Sequence, residues 1–141
     1  MNRKKPVSKK CKLKLSSLKS KAWKIFSEFT RRKWANNDGF VACITCKKMF
    51  HWKALQAGHF IAGRGNSILF DERGTNPQCY GCNCHKHGDW PNYYDFMKDK
   101  YGESVIEDLK RVSVIPRKFS EEELQNLILN YKQKLDALEA A

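Results

Sequence analysis

Apolar residues recur at three and four positions through Leu18, Ala22, Ile25, Phe26 and Phe29, so the pattern predicts an amphipathic helix from about Ser16 to Trp34. Lys21, Lys24, Arg31 and Arg32 fall mostly on its other faces, and Asn36-Asn37-Asp38-Gly39 supplies the turn that ends it. Three short apolar runs then predict strands at Phe40–Ala42, Leu55–Ile61 and Ile68–Phe70, the second carrying His59 near its end. Gly63-Arg64-Gly65-Asn66-Ser67 reads as a flexible loop, and Asp71 to Asn76 as a turn containing Gly74. Helical spacing returns over Trp90–Tyr101 and Ser104–Val112, split by Gly102, and Pro116 breaks it. Ser120 followed three residues later by Glu123 resembles a capping box, which opens a last helix running to about Leu138.

These elements describe an α+β chain, mainly helical, built around a small hairpin. Four segments follow: a basic disordered tail at 1–13, a basic amphipathic helix at 14–36, a core at 37–112, and a C-terminal helix at 113–141. The last helix sets Leu124, Leu127, Ile128, Tyr131, Leu135 and Leu138 on one stripe, close to a coiled-coil seam. Such a stripe suits either packing on its own domain or pairing with a second copy as a homodimer.

Charge changes the picture. The chain has 141 residues and a formal charge of +12. Residues 1–33 hold 13 Lys/Arg and a single acid, Glu28, whereas the remaining 14 Lys/Arg are balanced by 14 Asp/Glu. All the excess positive charge therefore sits in the arm and first helix, where it would attract a polyanion such as DNA, RNA or an acidic membrane. No run of apolar residues is long enough to span a bilayer, and none follows the basic N-terminus as in a secretory signal. An intracellular, cytoplasmic protein is expected.

Candidate chemistry begins with the cysteines. Cys43-Ile-Thr-Cys46 and Cys79-Tyr-Gly-Cys82 form two C-x-x-C pairs, and two such knuckles can close one tetrahedral zinc site. Buried reduced thiols or a redox pair are the alternatives. The 32 residues between the pairs exceed the spacing of a simple zinc ribbon, so something else is built between them. Cys84 could replace Cys82 as a ligand, and Cys11 reads as a free thiol in the tail. His85 and His87 suit a short surface helix over Gly81–Lys86.

His59 at a strand end, then a Gly-rich loop, a return strand and a metal-anchored helix describe a ββα hairpin. Gly58-His59-Phe60-Ile61, Leu69-Phe70-Asp71-Glu72 and Asn76-Pro77-Gln78-Cys79-Tyr80-Gly81-Cys82-Asn83, with Gly88 and a Tyr-rich helix after them, resemble the phage NinG (Rap) recombination proteins. The resemblance covers residues 40–110. Two C-x-x-C pairs with a His between them, and Asn directly after the last Cys, are also similar to phage endonuclease VII and the HNH (ββα-metal) nucleases. It implies a metal-dependent endonuclease that acts on branched DNA such as Holliday junctions, in the cytoplasm of a phage host.

In that scheme a histidine titrating near neutrality accepts the proton of an attacking water, the role expected of His59. Asn83 resembles the family's metal-binding Asn, beside a catalytic Mg²⁺ or Mn²⁺ ion. Many ββα nucleases carry an Asp immediately before the catalytic His, whereas this chain has Gly58. Asp71 is the candidate for the missing oxygen ligand, with Glu72 weaker, and Asn76 either helps bind metal or orients the hairpin. Arg64, in the loop after His59, either reaches a phosphate near the cut bond or is a solvated loop side chain. Trp52, Trp90, Tyr93 and Tyr94 offer stacking faces for unpaired bases or fill the core. Two other functions share the zinc and basic arm: a non-catalytic nucleic-acid-binding module, and an HNH endonuclease without junction preference.

Overall fold

The computed structural model describes the backbone of residues 9–140 and the side chains of residues 14–140. Of the segment expected to be a disordered tail, residues 1–8 and the side chain of Cys11 lie outside the described residues. Helix α1 spans Lys9–Arg32 and so begins well before Ser16. Lysine and leucine are good helix formers, and the Lys-rich run simply continues the helix. Asn36 closes the following turn by accepting the backbone N–H groups of Asp38 and Phe40 on its Oδ1.

Two small antiparallel sheets come next. Strand β1 (Phe40–Ala42) pairs with β2 (Met49–His51), in the register Phe40 to His51 and Ala42 to Met49. The sequence reading missed β2 because three residues behind two lysines carry no periodic signal. Strand β3 (Leu55–His59) pairs with β4 (Thr75–Cys79), setting Gly58 opposite Asn76 and His59 opposite Thr75.

The return strand is therefore Thr75–Cys79 and not Ile68–Phe70, which forms turns. Ile68 and Leu69 are apolar because they are buried beneath a folded loop. Thr75, Asn76 and Gln78 are polar yet fully buried, and Pro77 still offers its carbonyl to the Ile44 N–H at 3.0 Å. Periodicity cannot find a strand whose interior is polar on both faces.

After β4 the chain makes a five-residue π-helical turn, Gly81–His85, closed by Lys86 N–H donating to the Gly81 carbonyl. Helices α2 (Trp90–Tyr101) and α3 (Glu103–Ser113) fall where the spacing predicts them. They pack Tyr93, Met97, Ile106 and Leu109 against Phe60 and Ile44. Helix α4 (Glu121–Ala140) opens on Ser120, whose Oγ accepts the Glu123 N–H at 3.1 Å.

The stripe of α4 is used within its own domain: Leu124 and Ile128 pack on Ala22, while Tyr131 meets Phe26 edge-on at 5.0 Å. Its Tyr131 hydroxyl and Lys134 ammonium also reach Glu72 at 2.7 and 2.6 Å, tying α4 to the loop before β4. No described helix is long and apolar enough to cross a membrane.

Candidate active site

The hairpin β3–β4 is anchored at its far end by sulfur. Cys43, Cys46, Cys79 and Cys82 place their Sγ atoms within 4.8 Å of one another, and Cys46 and Cys79 stand 3.9 Å apart. Zinc–sulfur bonds of about 2.3 Å in a tetrahedron imply edges of about 3.8 Å, so the cluster could hold a structural zinc ion. Backbone N–H groups support the sulfurs, Cys79 N donating to Cys43 Sγ at 3.3 Å and Cys82 N to Cys79 Sγ at 3.4 Å.

Burial raises the Cys43 thiol, but N–H and hydroxyl donors from Cys46, Thr45 and Cys79 outweigh it and bring it to about 6. Burial and the adjacent sulfurs push Cys82 up to about 12. Cys84 is exposed and lies outside the cluster; its thiol donates to Gln56 Oε1.

Beside this anchor lies an open cavity of about 560 Å³. Helix α1 gives it Trp23, Ser27 and Arg31; β3 gives Gln56 and His59; the following loop gives Arg64; the π-helical turn and its exit give Asn83 and His87. Three of the predicted residues, His59, Arg64 and Asn83, therefore share one space.

Nε2 of His59 stands 3.1 Å from the Leu69 carbonyl. A carbonyl only accepts, so Nε2 carries the proton and Nδ1 keeps the lone pair. Burial, the largest influence, lowers the His59 pKa from its ordinary value, and nearby Arg64 lowers it further against the opposing Leu69 hydrogen bond. Burial and Arg64 thus favour the neutral ring. Its face is covered by Trp23, with centroids 5.2 Å apart and planes 22° from parallel. The Arg64 guanidinium lies 4.4 Å from the same indole.

Asn83 donates from Nδ2 to Gln56 Oε1 at 2.7 Å, which fixes the direction of its carbonyl oxygen. A Cβ built on Gly58 would stand 3.1 Å from that oxygen and only 2.0 Å from Gln78 Oε1. The absence of an Asp before His59 thus has a steric cause: the buried Gln78 fills its place. Gln78 is held by its Nε2, which donates to the Gly88 carbonyl at 2.9 Å and to Thr45 Oγ1 at 3.3 Å.

Asp71 does not join this space. Arg73 grips its carboxylate at 2.7 and 3.0 Å, and it lines a different cavity with Phe70, Arg117 and Phe119. The expectation that Asp71 supplies the second ligand of a catalytic ion is corrected accordingly. Glu72 is tied to α4. Asn76 is fully buried, its Nδ2 donating to the Arg73 carbonyl and the Tyr93 hydroxyl, so of its two roles it orients the hairpin. Among the described residues the cavity wall carries no carboxylate. A hard divalent ion would find the Asn83 oxygen there and would depend on its substrate for negative charge.

His85 packs edge-on against Tyr80 on the far side of the knuckle, whereas His87 reaches the cavity. Trp23, Gln56 and Arg31 were not anticipated. Trp23, Ser27 and Arg31 recur at i, i+4 and i+8, a readable stripe that adjoins the apolar face of α1.

A family profile described as bacteriophage lambda NinG protein matches residues 1–140. No curated protein and no solved structure matches the chain. The match spans the basic helix, both knuckles, the His59 hairpin and α4, and it places this chain in the NinG family of phage recombination proteins.

Proposed function

We propose that this protein is a metal-dependent endonuclease that hydrolyses phosphodiesters of branched recombination intermediates such as Holliday junctions. One observation carries the reading: the His59 imidazole, two arginines and the Asn83 amide share one open cavity beside a sulfur-anchored hairpin. The order of hairpin, knuckle and short helix, with Asn83 directly after Cys82, is the feature that resembles HNH nucleases and endonuclease VII. The recombination role of the NinG family favours branched DNA over plain duplex.

Nδ1 of His59 takes a proton from the attacking water as its oxygen bonds to phosphorus. The P–O3′ bond then breaks, leaving a 5′-phosphate and a 3′-oxyanion that takes a proton from solvent to become the 3′-hydroxyl, while His59 returns its proton to solvent. Arg31 and Arg64 hold the phosphate and offset the charge that grows on its oxygens. The four cysteines would hold a structural zinc, and Cys82, directly before Asn83, would thereby keep Asn83 in place. A Mg²⁺ or Mn²⁺ ion, when bound, supplies Lewis acidity at the phosphate, and Asn83 is the residue that would hold it. Symmetric cutting of a four-way junction calls for two copies. Because α1 already covers Leu124 and Ile128 of the α4 stripe, a two-fold contact would use other residues, and sedimentation of the 16.5 kDa chain tests whether two copies associate.

The deciding experiment compares wild type with His59→Ala on labelled four-way junctions and matched duplexes, in Mg²⁺ and in EDTA. Wild type cuts the junction only with metal, and the variant binds without cutting. Junction binding with no cutting in any metal instead makes the protein a zinc-containing binding module. Equal cutting of duplex and junction makes it an endonuclease without branch preference.

A further inference from the structure

A second cavity, of about 270 Å³, adjoins the first and shares His59, Ala62, His87 and Gly88 with it. Its outer wall is Trp90, half exposed at 50%. The four aromatic residues that the sequence offers as stacking faces now separate. Tyr93 is core at 1% exposure, Tyr94 donates its hydroxyl to Glu103, and Trp52 is flanked by Arg31, Arg32 and Lys53. Trp90 alone of the four lines a cavity continuous with that of His59.

Two further observations make this a built feature. The indole is braced from below by Phe60, stacked at 5.9 Å and 17° from parallel, and from the side by Tyr94 at 5.2 Å. The chain reaches it through three consecutive left-handed residues, His87, Gly88 and Asp89, with φ of 51°, 89° and 49°. His87 and Asp89 adopt this conformation at a cost, and such strain survives only where surrounding contacts impose it. Here Gly88 N–H donates to the Cys82 carbonyl, Gln78 donates to the Gly88 carbonyl, and Asn92 holds the Asp89 carboxylate. The strained bend sets His87 and Trp90 on one mouth, and the adjoining cavity carries Arg31 and Arg64.

From this we infer that the Trp90 cavity receives one unpaired nucleobase of the strand whose phosphate sits beside His59. The inference rests on the nuclease reading for the position of that phosphate. An aromatic face accepts any base, and it accepts a base only when that base has left its stack. Nucleotides at a branch point leave the stack more readily than those in duplex, so this subsite would give branch selectivity without sequence readout.

The test uses four-way junctions carrying 2-aminopurine singly at each position across the branch, bound by the full chain in Ca²⁺ to suppress cutting. Wild type should change the fluorescence severalfold at one nucleotide flanking the cleaved phosphate. Trp90→Phe should keep that signal, and Trp90→Ala should lose it and bind the junction roughly tenfold more weakly. Zinc content and circular dichroism confirm that both variants fold. A signal that survives Trp90→Ala, or that is absent at every position in wild type, overturns the inference. A Trp90-dependent signal without any cutting in Mg²⁺ sinks the nuclease reading but keeps the subsite; cutting without the signal does the reverse.

Discussion

Trp23 lies against the ring of His59, 5.2 Å between centroids, although the two are 36 residues apart and sit on different elements. The indole shields the imidazole from water, and burial is the main reason the ring resists protonation. Trp23→Ala should therefore move the acid limb of the pH–rate profile toward higher pH and lower kcat by about tenfold, while Trp23→Phe restores most of both. The same sign holds for stability. A histidine with a depressed folded pKa stabilises the fold least below its ordinary value of 6.5, because the unfolded chain binds the proton first. Stability measured by urea unfolding should fall as pH drops from about 6.5 toward the lowered value, and an acid limb unmoved in Trp23→Ala would deny Trp23 this role.

Gly58 is a packing requirement. A methyl group there would meet Gln78 Oε1 at 2.0 Å and Gln78 Cδ at 2.8 Å. Gly58→Ala should cost about 1–3 kcal/mol, read as a lower urea midpoint with unchanged slope. Gln78→Ala in the same chain should recover part of that loss, since it removes the obstructing amide.

On the proposed nuclease reading, a zinc on the four cysteines and a catalytic ion should separate on chelation. Brief EDTA treatment should stop cutting reversibly, with one zinc per chain retained by elemental analysis. A strong thiol-competing chelator should release that zinc and lower the thermal midpoint by about 10 °C or more, because the β3–β4 hairpin loses its anchor. Cys79→Ser should reproduce the second effect. Activity surviving zinc removal would break the link drawn between the knuckle and Asn83.

With no carboxylate on the cavity wall among the described residues, divalent-ion binding should require DNA. Mn²⁺ titrations followed by electron paramagnetic resonance should give millimolar or weaker affinity for the protein alone. Added junction DNA should tighten it by about tenfold or more. Tight binding without DNA would show a ligand set other than the one described.

The Glu72 latch makes an acid-side prediction. Burial alone would raise this carboxyl, but hydrogen bonds from Lys134 and Tyr131 hold it below its ordinary value of 4.5. A depressed carboxylate stabilises the fold above that value and loses its contribution as pH falls through the lowered one. Glu72→Gln should remove about 1 kcal/mol at pH 7, a modest figure because the pair is over a third exposed, and should flatten stability between pH 5 and 3.

How much of this was legible beforehand depended on local signals. The knuckles, the His59 strand and α2 to α4 were readable because spacing, caps and Gly102 act over a few residues. Thr75–Cys79 was not, since Asn76, Gln78 and Pro77 imitate a turn and only tertiary burial makes them a strand. Asp71 was misassigned for a related reason: a carboxylate two residues before an arginine satisfies itself locally. Gln78 filling the room beside Gly58 lies across the hairpin and leaves no trace in either segment alone.

Helix α1 carries basic side chains along its length and also presents Trp23, Ser27 and Arg31 to the cavity, at one-turn intervals on a single rod. From Trp23 to Arg31 it rises about 12 Å, roughly two phosphate spacings of an extended strand. On the proposed nuclease reading, a nucleic-acid backbone laid along this rod would be measured against the imidazole: which phosphate Arg31 takes up would decide which bond meets His59. The helix would then act as a ruler, and the distance of the cut from the branch should follow its length.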